Sequence, residues 1–164
     1  WTANFSYLVR NDCARSVRWN PELTSAQDFD YFLQLAITGA RFVYLPGLVG
    51  YYRFHQQARA SRRKLSEWCR NRERALSAGE AALVETGKLT TRRSELLAMN
   101  YFRLAQVVYS FDRDWFRKLI DHTRHLNPAF LPPRPLHAMA VRALGFEGAE
   151  MVLEAKRRWR RRRA

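Results

Sequence analysis

The sequence predicts an α/β fold that is mostly helical, with strands confined to the first third of the chain. Two short apolar runs, at residues 42–45 and 48–53, flank Pro46-Gly47, which is the pattern of two strands joined by a turn. From about residue 60 onward, apolar residues recur at helical spacing instead. We therefore expect three regions: a mixed region over residues 1–58, a helical region over 59–155 and a basic tail over 156–164.

The segment before the first helix is predicted to contain one strand and two turns. Residues 5–9 are apolar and predict a short strand. A polar turn is expected at Asn11-Asp12, and Asn20-Pro21 marks a second turn. This segment would lead directly into the first helix.

A helix is predicted between Ser25 and Gly39. Thr24 or Ser25 can cap its start, and Asp28 stands three residues after Ser25, at the capping-box position. Gly39 supplies the left-handed stop. The residues of its apolar side recur at helical spacing: Phe29, Phe32, Leu33 and Ala36.

The helical region begins with three predicted helices. The first starts near residue 62 and ends at Gly87, and the second starts at Thr90 or Thr91. Asp112 is the predicted N-cap of the third. Their apolar residues fall on single stripes, so we expect helical hairpins that pack through those stripes.

Prolines separate these helices from the C-terminal part of the chain. Asn127-Pro128 and Pro132-Pro133 interrupt helical structure, because residues before proline avoid the helical region. Pro135 suits a first helical turn. We expect a short helix from there to about Leu144 and a last helix from Glu147 into the basic tail.

Composition bounds the class of protein and its partners. The chain has 164 residues, 47% of them hydrophobic, and a net charge of +14, of which the run over residues 156–163 supplies seven positive charges. This balance implies anionic partners. Two cysteines give no disulfide framework or zinc spacing and fit a reducing compartment. No run of eighteen apolar residues predicts a membrane span.

The order of elements over the first third of the chain resembles the second half of the catalytic domain of family 2 glycosyltransferases, which are inverting enzymes of the GT-A fold. In that family an acidic pair opens a helix, and two strands follow, the second ending in a Tyr-Arg-x-His motif. The matching residues here are Gln27-Asp28, Gln34-Leu35-Ala36, Gly39, Arg41 to Pro46, and Tyr52-Arg53-Phe54-His55. The resemblance implies the C-terminal fragment of a GT-A nucleotide-sugar transferase domain, followed by a helical appendage.

The resemblance also implies roles for individual residues. Asp28 would be the general base that takes the proton of the acceptor hydroxyl, and a carboxylate at a helix N-terminus stays ionised. Arg53 and His55 would bind the diphosphate leaving group, and His55 is also a candidate metal ligand. The implied acceptor-binding residues are Trp1, Trp19 and Gln27. The plainer interpretations stay open: a capping role for Asp28, an exposed strand end for Arg53 and His55, and half-buried core edges for the two tryptophans.

Several features depart from the family or have been set aside. Gln27 stands where the family usually has Glu, and Gln34 stands where it usually has Arg. Asp30 follows Asp28 by two residues and so points roughly 200° around the helix from it, which means that the two carboxylates cannot form one site. Asp112-Arg113-Asp114 has the Asp-x-Asp form of the family's metal motif, but it opens a helix, so we interpret Asp112 as an N-cap. His122 and His125 share a helix face without a third ligand, and we expect them on the surface.

The resemblance implies a non-processive transferase of cell-envelope polysaccharide biosynthesis. Its donor would be a nucleotide sugar, its acceptor a saccharide or lipid-linked glycan, and its cofactor a divalent metal (Mg or Mn), although the main metal motif and the donor-binding half are absent from these residues. The basic tail, with Trp159, would bind an anionic membrane surface at the inner face of the cell membrane. The alternative is a basic helical adaptor that binds nucleic acid or acidic partners, although the aromatic residues fall mostly on core stripes.

Overall fold

A computed structural model describes residues 7–44, 46–47 and 65–161 of the chain. Six helices lie in these ranges, and they divide between two compact units, Trp1–Lys88 and Leu89–Ala164. The helices are α1 (Asn11–Ser16), α2 (Gln27–Ile37), α3 (Leu65–Glu85), α4 (Thr91–Val108), α5 (Arg113–Leu126) and α6 (Pro135–Arg161).

The expected α/β fold is wrong, and with it the expected GT-A architecture. No strand or sheet occurs in the ranges that the structure describes. The apolar run at Phe42, Val43 and Tyr44 forms neither helix nor strand, and these side chains are 51%, 65% and 86% exposed. A strand needs a second backbone to satisfy its N–H and C=O groups, and no described segment pairs with this run. The second predicted strand, at 48–53, lies outside the described residues.

The N-terminal segment also differs from its prediction. Residues 7–9 form no strand, and Leu8 is 98% exposed. The polar turn expected at Asn11-Asp12 is instead the start of α1, where Asp12 lies in the first turn and pairs with Arg10. An acidic residue in a first turn is favoured by the helix dipole, which explains why this polar sequence becomes helical.

In the first unit, α2 packs against α3. The contact is close at Gly79, where an added Cβ would lie 2.8 Å from Leu33 Cδ2. A glycine therefore lets the two helix backbones approach. On the same interface the Arg72 guanidinium lies 3.9 Å from the centre of the Phe29 ring. The core of this unit comprises Leu23, Ala26, Tyr31, Leu35, Cys69, Ala75, Leu76 and Leu83.

In the second unit, α4 and α5 form a helical hairpin whose starts follow the predicted caps. Thr90 accepts a hydrogen bond from the backbone N–H of Arg93, and Asp112 accepts one from that of Trp115 at 2.9 Å. The interpretation of Asp112 as an N-cap is therefore confirmed. The core between and around these helices includes Leu97, Ala98, Tyr101, Phe102, Leu104, Ala105, Val108, Phe116, Leu119 and Ile120.

Helix α6 is broken at Gly145, which has φ 71° and ψ 175°. Such a conformation is open to glycine and unfavourable for other residues, so the break lies where the sequence predicts the end of one helix and the start of the next. The first half of α6 buries His137 and Val141, and the second half buries Ala149 and Glu150.

Glu150 is fully buried and belongs to a polar cluster in the core of the second unit. Gln106 Nε2 donates to Glu150 Oε1 at 2.8 Å, and His137 Nε2 lies 3.1 Å from the same oxygen. The ring of His137 also packs against Phe102. A buried polar group is costly unless it has such partners. None of the described helices combines the length and the apolar composition that crossing a membrane requires.

Candidate functional site

The site is built where the chain enters α2. Gln27 and Asp28 are the first two residues of this helix, so both lie in its first turn, where backbone N–H groups are free. Asp28 is half-buried, and its Oδ1 accepts a hydrogen bond from the backbone N–H of Phe29 at 2.9 Å. A carboxylate at a helix start can accept hydrogen bonds, including one from a hydroxyl group.

The predicted N-cap of α2 is wrong. Neither Thr24 nor Ser25 caps the helix; the N-cap is Ala26, whose φ of 61° lies in the left-handed region. The two hydroxyls instead accept hydrogen bonds from Nδ2 of Asn71, at 2.9 and 3.0 Å. Thr24 also donates to Glu67 Oε1. The side chains that would have capped α2 are thus used to hold the loop against α3.

Asn71 therefore positions the start of α2. It is a buried residue of α3, and its amide binds a loop about 46 positions earlier in the chain. The left-handed Ala26 lies directly between this bonded loop and the first helical residue. A non-glycine residue in this conformation is unfavourable by about 1 kcal/mol or more, so the surrounding contacts must hold it in place.

An aromatic stack lies beside the first turn of α2. The Trp19 and Tyr31 rings are parallel, with an interplanar angle of 6° and centroids 4.6 Å apart. Tyr31 is buried and donates its hydroxyl hydrogen to the backbone carbonyl of Ala14, whereas Trp19 remains 52% exposed. The indole is thus held flat on a fixed ring while about half of its surface faces solvent. Such a surface can bind the apolar face of a ring-shaped ligand.

The helix repeat connects this stack to the carboxylate. Tyr31 follows Asp28 by three residues and Gln27 by four, and residues at these spacings are neighbours on a helix surface. We call the residues of this stack and of the helix start the first-turn site: Trp19, Gln27, Asp28 and Tyr31. Three of its four members are predicted site residues. The fourth, Tyr31, was missed because its role is to support Trp19.

Asp30 is a second carboxylate of α2 but does not belong to this site. It is buried, and burial raises the pKa of its carboxyl, while a hydrogen bond with Gln34 lowers it. Because the pKa of Asp30 is higher in the folded protein than in the unfolded chain, the folded state favours the protonated carboxyl. The stability that this preference contributes is lost as the pH rises through the folded-state pKa, so ionisation of Asp30 opposes folding. Sequence spacing separates Asp30 from Asp28, as predicted, but it does not indicate which of the two faces the interior.

The other predicted site residues are not placed. Trp1, Arg53 and His55 lie outside the described residues, and their roles stay predictions. Within the described ranges, no group of three His, Cys, Asp or Glu side chains is arranged to hold a metal ion. The described side chains therefore do not provide the set of ligands that a divalent metal needs, and the reaction below uses no metal.

The histidines and acidic residues of α5 have structural contacts. Asp114 forms an ion pair with Arg117 at 2.9 Å, and Arg117 also bonds both carboxylate oxygens of Glu147. His122 packs edge-on to Tyr101, with centroids 4.5 Å apart. An open depression of about 310 Å³ lies near the end of α5, lined by Asp121, Arg124, His125 and Pro128. These contacts give α5 no arrangement comparable to the first-turn site.

The first-turn site thus comprises the carboxylate and amide side chains at the start of α2 and the half-exposed indole stacked on Tyr31. The amide of Gln27 can donate and accept hydrogen bonds, and the carboxylate can accept them. Comparisons with known proteins identify no related protein: no family model matches the chain, and neither the curated proteins nor the solved structures contain a significant match.

Proposed function

We propose that this chain contributes the acceptor-side part of an inverting glycosyltransferase. The single observation that carries the proposal is the half-exposed indole of Trp19, stacked on Tyr31, which follows Asp28 by three residues on α2. The family resemblance assigns base and acceptor binding to three residues of this site: Asp28, Trp19 and Gln27.

In the proposed reaction, Asp28 acts as the general base. The acceptor hydroxyl oxygen attacks the anomeric carbon of a nucleotide sugar from the face opposite the diphosphate. A new glycosidic C–O bond forms, the C–O bond to the diphosphate breaks, and the hydroxyl proton moves to the Asp28 carboxylate. The nucleoside diphosphate leaves with the electron pair of the broken bond. We assign its binding to Arg53 and His55, with the rest of the donor pocket outside these 164 residues.

Trp19 and Gln27 would bind the acceptor in this reaction. A pyranose ring presents an apolar C–H face, which stacks on an indole, and hydroxyl groups at its edge, which bond to amides. The half-exposed indole and the exposed Gln27 side chain have the chemistry for both contacts. The proposed acceptor is therefore a saccharide or a lipid-linked glycan. We place the reaction at the cytoplasmic face of the cell membrane, where both free cysteines would remain reduced.

Trp19→Ala is expected to raise the KM for the acceptor about tenfold while kcat changes little, because stacking acts in the ground state and the transition state alike. The measurement is steady-state transfer by the whole gene product, with a panel of nucleotide sugars and soluble oligosaccharide acceptors.

Phe111→Ala is the matched control, since Phe111 is also a half-exposed ring, 43% exposed, that packs on a second aromatic ring, Trp115, but it belongs to the second unit. Its acceptor KM should equal that of the wild type. An unchanged KM in Trp19→Ala would remove the indole from the acceptor site. Failure of the whole gene product to transfer sugar from any donor of the panel would contradict the proposed function itself.

A basic helical adaptor is the second candidate, and two observations favour it. The described residues are helical without strands, and the net charge is +14. Such a protein would bind nucleic acid or an acidic partner through phosphate or carboxylate contacts, and its affinity would fall steeply with salt. Assays of sugar transfer and of RNA binding distinguish the two functions. Salt-sensitive binding of RNA without any sugar transfer would favour the adaptor.

A further inference from the structure

The first half of α6 exposes an apolar stripe to solvent. Leu136, Met139 and Leu144 are 81%, 64% and 55% exposed. With Ala140 and Ala143, they follow the spacing i, i+3, i+4, i+7, i+8, which marks one face of a helix. We call these five residues the α6 stripe.

The α6 stripe is not the side of the helix that packs in the core of its unit. His137 and Val141 pack into the core of the unit, and both are buried. Each lies one or two positions from a stripe residue along the chain. Leu136 and Met139, which lie about 100° or more around the helix from His137 and Val141, are open to solvent, and the stripe extends to the exposed Leu144 at the end of this half. A contiguous open apolar surface of this kind is typical of an interaction site.

The charges around the α6 stripe identify its partner. Arg134 precedes the helix and Arg142 is exposed on it, while the sequence contains no Asp or Glu from residue 122 to residue 146. The nearest acidic residue along α6 is Glu147, which is paired with Arg117. Apolar side chains flanked by basic positions that have no acidic partner among the described residues match the chemistry of an anionic bilayer surface, where headgroups bind the cations and the acyl region takes the apolar groups.

The second half of α6 exposes further apolar side chains beyond Gly145, and basic residues follow them. Met151, Val152 and Trp159 are 62%, 50% and 54% exposed, and the basic run begins at Lys156. A phosphate backbone would use the charges but not the leucine and methionine side chains. A second copy of this chain would bring another net charge of +14 to the contact, which opposes association.

We propose that α6 docks this protein on an anionic phospholipid surface by inserting the α6 stripe, while the basic tail supplies electrostatic attraction. The helix lies along the interface and does not cross it. This inference stands independently of the proposed glycosyltransferase activity. In this proposal the apolar contact with the lipid is made by Leu136, Met139 and Leu144, which precede the basic tail in the chain.

The test is co-sedimentation of the whole chain with vesicles of phosphatidylcholine that contain phosphatidylglycerol, and with vesicles of phosphatidylcholine alone. The stripe variant carries Leu136→Gln, Met139→Gln and Leu144→Gln, which are exposed positions that leave the core intact. We expect it to bind anionic vesicles at least about tenfold more weakly than the wild type, since three inserted apolar side chains are lost. Circular dichroism should show unchanged helix content and melting.

The control variant carries Val84→Gln and Leu96→Gln, two substitutions of exposed apolar residues in other helices, at 58% and 48% exposure. It should bind vesicles like the wild type. Equal vesicle binding by the stripe variant and the wild type would overturn the proposal, as would a wild-type chain that binds neither kind of vesicle. A stripe variant that loses binding to RNA while keeping binding to vesicles would equally overturn it and assign the surface to nucleic acid.

Discussion

Asp28→Asn is expected to lower kcat for glycosyl transfer by the whole gene product about a thousandfold, because removal of a general base typically costs a factor of this order. Asparagine keeps the shape of the side chain, and its carbonyl oxygen can accept the hydrogen bond from Phe29 N–H. It has no basic site for the acceptor proton. Since substrate binding is unaffected, the KM values of donor and acceptor should change little. The measurement is initial-rate kinetics with the donor and acceptor that give transfer in the wild type.

Asp114→Asn is the matched control for this substitution. Asp114 also lies in the first turn of a helix, is exposed, and accepts a hydrogen bond from Arg117. It belongs to the second unit, so the same chemical change there should leave kcat at the wild-type value. A kcat for Asp28→Asn equal to that of the wild type would remove Asp28 from the mechanism.

Glu150→Ala is expected to lower the free energy of unfolding by about 2 to 5 kcal/mol, because each buried polar group that loses its partner costs about 1 to 3 kcal/mol. Glu150 is fully buried, and its Oε1 is contacted by Gln106 Nε2 and His137 Nε2. The substitution leaves a buried amide and a buried imidazole facing a cavity. Urea unfolding followed by circular dichroism measures the change.

Glu147→Ala provides the comparison for Glu150→Ala. Glu147 lies three residues earlier on α6 and pairs with Arg117, but this ion pair is exposed to solvent. Exposed pairs are screened by water and salt, so the unfolding midpoint should move little. Equal midpoints for the two variants would show that the buried cluster does not stabilise the second unit.

The helices were largely predictable because their signals are local. Gly39 has a positive φ just after α2, Thr90 and Asp112 cap the helices that follow them, and Gly145 breaks α6. Each signal acts within a few residues of its own position, so a pattern along the sequence is sufficient to find it.

The strands and the α2 cap were predicted wrongly because they depend on distant residues. Whether the apolar run at residues 42–44 becomes a strand depends on a partner backbone, which the run itself does not encode. Ser25 has the sequence position of an N-cap, but Asn71 binds its hydroxyl from another helix. Local propensity competes with such tertiary contacts and often loses.

The candidate site was predictable only in part. Helical spacing relates Gln27 and Asp28 to one another, but the stack of Trp19 on Tyr31 depends on how the loop before α2 folds. Burial of Asp30 depends likewise on which side of α2 faces α3. The α6 stripe follows a helical pattern in the sequence, yet only the packing of Val141 decides that the stripe is left open.

The most direct test of an inverting transfer with Asp28 as base is the anomeric configuration of the first product. The whole gene product is supplied with a nucleotide sugar whose sugar is α-linked to the diphosphate, and the new glycosidic bond is examined by proton NMR before any side reaction. A single displacement assisted by one general base predicts a β-linked product. An α-linked product would contradict this mechanism, because retention requires a different course of reaction at the anomeric carbon.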